Sequence, residues 1–351
     1  YIHLLSVYNR YLLSFVMENT IIYTKRKYET WPSWHIIYEW EEDIAKALNI
    51  SLVSSEKAEK FFSNKIINRA LKYRLVNIFA QKIDILVPQP NVEVVFELYL
   101  KDRFAYTSRK NSVPIIIDFW ERNDLSTFYN AYANCKLVFI SSLEVYSFLK
   151  ANNCPLNIKH LPLSLSNRYK PIGAYEKKYD ILFAGRPNSV LWAFMLAYEK
   201  KYPEVEYLYQ IEVDKRIFYK SNKKGIIGDF HSREEYISLL RSSKISFYST
   251  PGIDGGETRT NGFNPVTPRF LELIAAGCFV MGRYPDNEET RFYEMEQYCP
   301  NVSCFEDFEK YMLSFLQSNS PDLDDYRNYL EKHSTTLMAE QIKAGIKGTF
   351  E

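Results

Sequence analysis

Little in this chain points to disulfides, a metal or a membrane span. The five cysteines form no CxxC pair and have only five histidines for company. No structural metal site is expected from that set. Cys135 and Cys278 lie in apolar runs and read as small core residues, while Cys299 and Cys304 stand five apart with no second pair. The odd, scattered count fits a reducing compartment. No apolar run reaches the roughly 20 residues of a membrane helix. No secretory signal is visible, although the chain opens at Tyr1 without Met, which leaves upstream targeting open. Net charge is only +1, which argues against nucleic acid as a partner. Residues 1–165 carry 20 Lys/Arg against 16 Asp/Glu. That mild basic excess permits peripheral contact with an anionic membrane or an anionic substrate, and reads equally well as solvated surface. Neither GxGxxG nor GxxxxGK[ST] occurs, so neither NAD binding nor P-loop ATP hydrolysis is indicated. HExxH and a Ser-His-Asp order with an elbow are also missing.

What is present is alternation. At 351 residues and 46% hydrophobic, the chain is long for one core, and two domains are expected. Strands are predicted at 20–24, 50–53, 83–87, 92–96, 114–119 and 137–141. Helices are predicted at 36–48, with an acidic first turn, and at 58–80, 125–133 and 143–151. The proline-marked stretch His160–Pro171 reads as the interdomain boundary. The rhythm then restarts, with strands at 180–184, 207–211, 245–248 and 278–281, and with 224–227 leading into Gly228-Asp229-Phe230-His231. The corresponding helices are 190–200, which Ser189 could cap, 232–242 with a Ser232/Glu235 capping box, 270–276, 305–317 and 323–344. Near-continuous apolar strands between helices signal parallel sheets covered on both faces. The loop 249–268 is long and polar, a length that compact domains usually reserve for function.

Three places could carry chemistry. Gly185-Arg186 follows an apolar strand; glycine lets the backbone approach a ligand, and arginine offers planar donors for phosphate oxygens. Downstream, Thr267-Pro268-Arg269 opens a helix whose free N–H groups, with Arg269, could hold a diphosphate. Glu272, one turn on, could accept from sugar hydroxyls, support the helix start or pair with Arg269. Asp254, Glu257 and Arg259 share the long loop with Gly255 and Gly256, either as a sugar-orienting nest or as solvent surface. In the first half, Asp118 ends a buried-type strand at its carboxyl edge and could act as a general base, with Glu121 and Asp124 as neighbours. His35 could line the opposing wall or serve as a packed structural residue. Phe230 or Ile227 could pack on a nucleobase, with His231 lining the cleft.

FAGRPNS, GDFHSREEYISLLRSSKISFYS and TPRFLELIAAGCFVMG, in that order after HLPLSL, resemble the GT-B-fold bacterial glycosyltransferases of group 1, including the spore-maturation glycosyltransferase-like branch. The resemblance covers both halves. It implies an α/β, GT-B architecture: two Rossmann-like domains facing across a cleft. Residues 1–165 would form the acceptor-side domain and 166–321 the nucleotide-sugar domain. Residues 322–351 would form a helical segment crossing back to the first. It implies a sugar transferred from a UDP- or GDP-type donor, without bound metal or other cofactor, to a glycan or lipid-linked acceptor. The setting would be cytoplasmic surface-polysaccharide synthesis, at the inner face of the membrane if the acceptor is lipid-linked. Arg186 maps onto the donor-phosphate loop and Glu272 onto the ribose-contacting carboxylate. With Gly185, Phe230, His231, Glu257, Thr267 and Arg269 these form the donor-site set, and Asp118, His35, Arg186 and Arg269 the catalytic set. Lys215 and Arg216 are candidates for the family's phosphate lysine. One departure stands out: retaining members often carry a glutamate where this chain has Asn264, so stereochemistry is left open. A non-catalytic sugar-binding module and a GT-B-like UDP-sugar epimerase are the competing readings.

Overall fold

The computed structural model describes residues 17–27, 29–54, 92–100, 110–214, 216–230 and 232–350. The predicted helix 58–80 and strand 83–87 lie outside the described residues. The chain divides into two compact units, one running to Leu163 and resuming at Thr335, the other spanning Ser164–Ser334.

Unit 1 is built on β1 (Thr20–Tyr23), β2 (Ser51–Val53), β3 (Val92–Tyr99), β4 (Ser112–Asp118), β5 (Val138–Ile140) and β6 (Ile158–His160). All pair in parallel, in the order β2-β1-β3-β4-β5-β6. Period-2 alternation puts Val92, Val94, Phe96 and Leu98 of β3 on one face with Val113, Ile115 and Ile117 of β4. That face packs on α1 (Trp34–Leu48), through Ile37, Trp40 and Ile44, and on the last helix. α1 starts two residues before the predicted helix. Glu39, Glu41 and Glu42 therefore lie inside it, and its first turn holds no acid. α2 (Ser126–Tyr132) and α3 (Leu143–Ala151) follow β4 and β5, and the Ser142 hydroxyl caps α3.

Unit 2 carries β7 (Tyr179–Leu182), β8 (Tyr207–Val213), β9 (Arg216–Ser221), β10 (Gly225–Gly228), β11 (Ser243–Ser249) and β12 (Phe279–Arg283). Their order is β10-β9-β8-β7-β11-β12. β8, β7, β11 and β12 are parallel, while β9 and β10 add an antiparallel edge that the sequence reading lacked. The helices are α4 (Ser189–Lys201), α5 (Arg233–Arg241), α6 (Pro268–Ala275), α7 (Glu288–Phe292), α8 (Met295–Tyr298), α9 (Phe305–Gln317) and α10 (Leu323–Lys332). Asn188, not Ser189, caps α4: its side-chain oxygen accepts from the N–H groups of Val190 (3.0 Å) and Leu191 (3.1 Å). The Ser232/Glu235 capping box of α5 is formed in full.

The expected single helix 323–344 is two helices. α10 ends at Lys332, and α11 (Thr335–Phe350) begins after a break at His333-Ser334. The two parts bury different stripes. Tyr326, Tyr329 and Leu330 pack in unit 2, where α10 lies against α6, while Met338, Ala339, Ile342 and Ile346 enter the core of unit 1. One straight helix cannot serve both stripes, so the chain turns. The break is tied to the first crossing by the Leu165 N–H, which donates to the His333 carbonyl at 2.9 Å.

α11 holds two glycines with opposite expected effects. A Cβ at Gly345 would meet Phe139 Cζ at 2.5 Å and Leu137 at 3.2 Å, whereas at Gly348 nothing is nearer than 3.8 Å. Gly345→Ala should cost about 1–3 kcal/mol through overpacking. Gly348→Ala, on an exposed position, should stabilise by about 0.5 kcal/mol through helix propensity. Urea denaturation of both variants checks the pair of signs.

Candidate ligand site at the edge of the second sheet

In an open parallel sheet, ligands bind outside the carboxyl ends of the strands where the strand order reverses. In unit 2 that point lies between β7 and β11, because β7 leads outward to β8 while β11 leads the other way to β12. The β7–α4 turn, Gly185–Asn188, and the loop after β11 meet there. A small recess is lined by Ala184, Arg186, Asn188, Tyr248, Ser249 and Arg269. A wider open depression of about 610 Å³ lies elsewhere, along the charged outer face of α9 at Glu306, Glu309 and Lys310. It has no strand ends and no converging donors, and its shape is that of a solvated helix surface.

Gly185 and Arg269 are brought into contact. Gly185 has φ +92°, and a Cβ there would fall 2.6 Å from the Arg269 Cζ. The guanidinium therefore lies against bare backbone, which only glycine permits. Arg269 is half-buried, and Tyr236 accepts a hydrogen bond from it. Burial alone would lower its pKa, but Tyr236, Tyr219 and Glu272 around it hold it above the ordinary value. The tyrosines stay protonated. Burial pushes the Tyr248 hydroxyl up to about 12, and raises those of Tyr219 and Tyr236. Phe230 stands edge-on to Tyr219, with ring centroids 5.6 Å apart, and so joins the same cluster. His231 lies outside the described residues.

Arg186 is exposed, and its Nη2 pairs with Glu257 Oε1 at 2.6 Å. Glu257 also receives Arg259. Asp254 turns inward, accepting from Arg283 Nε (2.8 Å), Arg283 Nη2 (2.5 Å) and Asn188 Nδ2 (3.1 Å). The Arg283 hydrogen bonds are the main reason its carboxyl is held below the usual range. Asp254 is thus a staple between the loop, β12 and the α4 cap. The loop itself is not structureless; it contains short 3-10 turns at Ile253–Gly255 and Thr258–Thr260.

Two expectations at the α6 start need correction. The Thr267 N–H is not open to a ligand, because it donates to the Tyr248 hydroxyl at 2.8 Å, and the Val266 N–H donates to Glu289 at 3.2 Å. Pro268, at the first helical position, has no N–H. Glu272 is buried in an ion pair with Arg233 at 2.7 Å, an arrangement that holds α5 against α6. Of the residues weighed for a phosphate lysine, Lys215 lies outside the described residues and Arg216 sits at the exposed β8–β9 hairpin. Asn264 accepts from the Thr250 hydroxyl at 2.9 Å and donates to the Gly262 carbonyl.

In unit 1 the strand order reverses between β1 and β3. Asp118 ends β4, one strand further, half-buried and in register with Tyr99. His35 is half-buried on the first turn of α1, its backbone N–H donating to the Pro32 carbonyl. Asp124 accepts from both the N–H and the hydroxyl of Ser126, and those bonds lower its pKa. At the reversal itself stand residues the sequence reading did not single out. Lys25 Nζ and Glu97 Oε1 are 2.6 Å apart and both buried. Beside them the Thr24 hydroxyl donates to Glu41 at 2.6 Å. Burial outweighs that bond and the nearby Arg26 and Lys25, and pushes Glu41 up to about 7.

Among the described residues no three His, Cys, Asp or Glu side chains gather to hold a metal ion. Among the same residues no helix is long and apolar enough to cross a membrane.

No family model matches the chain, and no curated protein matches it. Solved structures do. A putative UDP-N-acetylglucosamine 2-epimerase from Listeria monocytogenes is similar over 95% of this chain and 97% of its own, at 11% identity and a TM-score of 0.51. The chain has the GT-B architecture. Two lower-scoring likenesses are to the GtfA/B complex (11% identity, TM-score 0.47, 78% of this chain) and to the pneumococcal O-GlcNAc transferase GtfA in complex with UDP and GlcNAc (11%, 0.46, 79%). The chain spans only 61% and 60% of those two proteins.

Two predictions test this geometry. Gly185→Ala, which brings both a strained φ and a clash with Arg269, should destabilise by about 1–3 kcal/mol in chemical denaturation. Glu41 binds its proton more tightly folded than unfolded, so its contribution is fully present below the unfolded pKa near 4.5 and is lost as pH rises through about 7. Glu41→Gln should flatten the fall in stability across that window and gain about 2–3 kcal/mol at pH 8, read from denaturation curves at pH 5 and 8.

Proposed function

We propose that this chain is a glycosyltransferase of GT-B type, moving a sugar from a nucleoside-diphosphate donor to a glycan or lipid-linked acceptor. The observation that carries the reading is the convergence of Gly185, Arg186 and Arg269 at the strand-order reversal of unit 2. Such a site offers two planar cations, one seated on the Gly185 backbone, with neutral tyrosine hydroxyls behind them, to one anionic group. In the reaction the acceptor oxygen bonds to the anomeric carbon. The bond from that carbon to the diphosphate breaks, and the electron pair leaves on the nucleoside diphosphate. Arg186 and Arg269 stabilise that leaving charge; preorganised donors of this kind contribute several kcal/mol in other enzymes. Asp118 takes the acceptor proton if the sugar carbon inverts, with His35 contributing to the acceptor side. Phe230 provides an aromatic surface for the base. Glu272, already paired with Arg233, acts on a ribose only by changing partner. The work is assigned to the cytoplasm, with peripheral membrane contact where the acceptor is lipid-linked.

A second reading is supported by the end-to-end likeness to the Listeria protein named a putative 2-epimerase. Under it the same site would hold a nucleotide sugar whose configuration is changed without an acceptor. A panel of UDP-, GDP- and dTDP-sugars, assayed with and without acceptor, separates the two: acceptor-independent conversion of the sugar identifies the epimerase. In either case Arg186→Ala should weaken nucleoside-diphosphate binding about ten-fold or more, as expected for losing a charge-assisted phosphate contact. Unchanged calorimetric affinity in that variant removes Arg186 from the site.

A further inference from the structure

The Arg186 guanidinium is matched by a carboxylate of the same chain. Glu257 Oε1 lies 2.6 Å from it, and the other oxygen of the same carboxylate holds Arg259. The pair joins the β7–α4 turn to the loop after β11, the two segments flanking the recess. A second link between the same segments, Asn188 to Asp254, is anchored by two hydrogen bonds from Arg283 and is far less exposed. The two links differ in kind. The Asp254 link is a fixed staple. The Glu257 link is rim-exposed, with Arg186 78% accessible, and pairs of that sort are worth only about 0.2–1 kcal/mol.

We infer that Glu257 is an internal competitor for the anion position on Arg186, displaced when a nucleoside diphosphate binds. This rests on the functional reading above and gives Glu257 a different role from that of a sugar-orienting carboxylate. A carboxylate and a phosphate seek the same face of the guanidinium fork, so both cannot hold it fully. The Asp254 staple keeps the loop in place during the exchange, so only the Glu257 and Arg186 side chains have to move. Arg186 thus meets an approaching anion as a neutralised pair rather than a bare cation, and weakly bound anions are turned away.

Calorimetric titration of the full chain with UDP and GDP tests this, using wild type, Glu257→Gln, Arg186→Ala and the double variant. Glu257→Gln should bind the preferred diphosphate about two- to five-fold tighter than wild type, the fold-change such a pair is worth. The gain should vanish in the Arg186→Ala background. A gain that persists without Arg186 reflects general charge repulsion and overturns the competitor role. Equal or weaker binding by Glu257→Gln overturns it too, and weaker binding assigns Glu257 to the ligand itself. Binding by neither wild type nor Glu257→Gln would instead overturn the nucleoside-diphosphate reading on which the proposal stands.

Discussion

The second unit depends on one contact, the Arg269 guanidinium lying against the bare backbone of Gly185. It requires a residue without Cβ at a positive φ directly after β7. It also requires a helix that starts at Pro268, so that Arg269 projects back toward that turn. Around it Tyr219, Tyr236 and Glu272 make a half-buried cation tolerable. Tyr219 comes from β9 and Tyr236 from α5, so one arginine of α6 draws both of those elements to its own helix. Arg233 closes the set by pairing with Glu272.

Much of the architecture was legible because hydrophobic period and turn chemistry agreed. The apolar strand at 114–119, the helices 143–151 and 305–317, and the capping box at Ser232 emerge within a residue or two of expectation. The misreadings have definite causes. β9, second from the sheet edge, reads RIFYKS; its charged and polar ends leave an apolar run of only three residues, short of the continuous signal of a central strand. Asn188 outcompeted Ser189 as the cap because its side chain reaches two N–H groups at once. The break at His333-Ser334 carries no proline or glycine. It arises because the apolar stripes on either side serve separate cores, which is a tertiary constraint.

The candidate site was legible in its glycine and arginines, residues whose special backbone or planar charge is rare enough to notice. Its tyrosines were not, because 28 of them are spread along the chain and nothing local marks Tyr219, Tyr236 or Tyr248. The helix start at Thr267 looked like an open anion cradle, yet its nearby N–H groups go to Tyr248 and Glu289, partners 19 and 23 residues away. Glu272 looked available and is instead enclosed with Arg233. Sequence spacing identifies groups capable of binding; it does not reveal which of them the fold has already satisfied. What stays open at the sheet edge is Arg186, together with one face of the Arg269 cluster.

The most direct measurement is a crystal structure of the chain soaked with UDP or GDP. The diphosphate should lie at the carboxyl ends of β7 and β11, seated on the Gly185–Asn188 turn with Arg186 and Arg269 on its oxygens. A diphosphate bound elsewhere, with Arg186 and Arg269 making no contact to it, would contradict that placement.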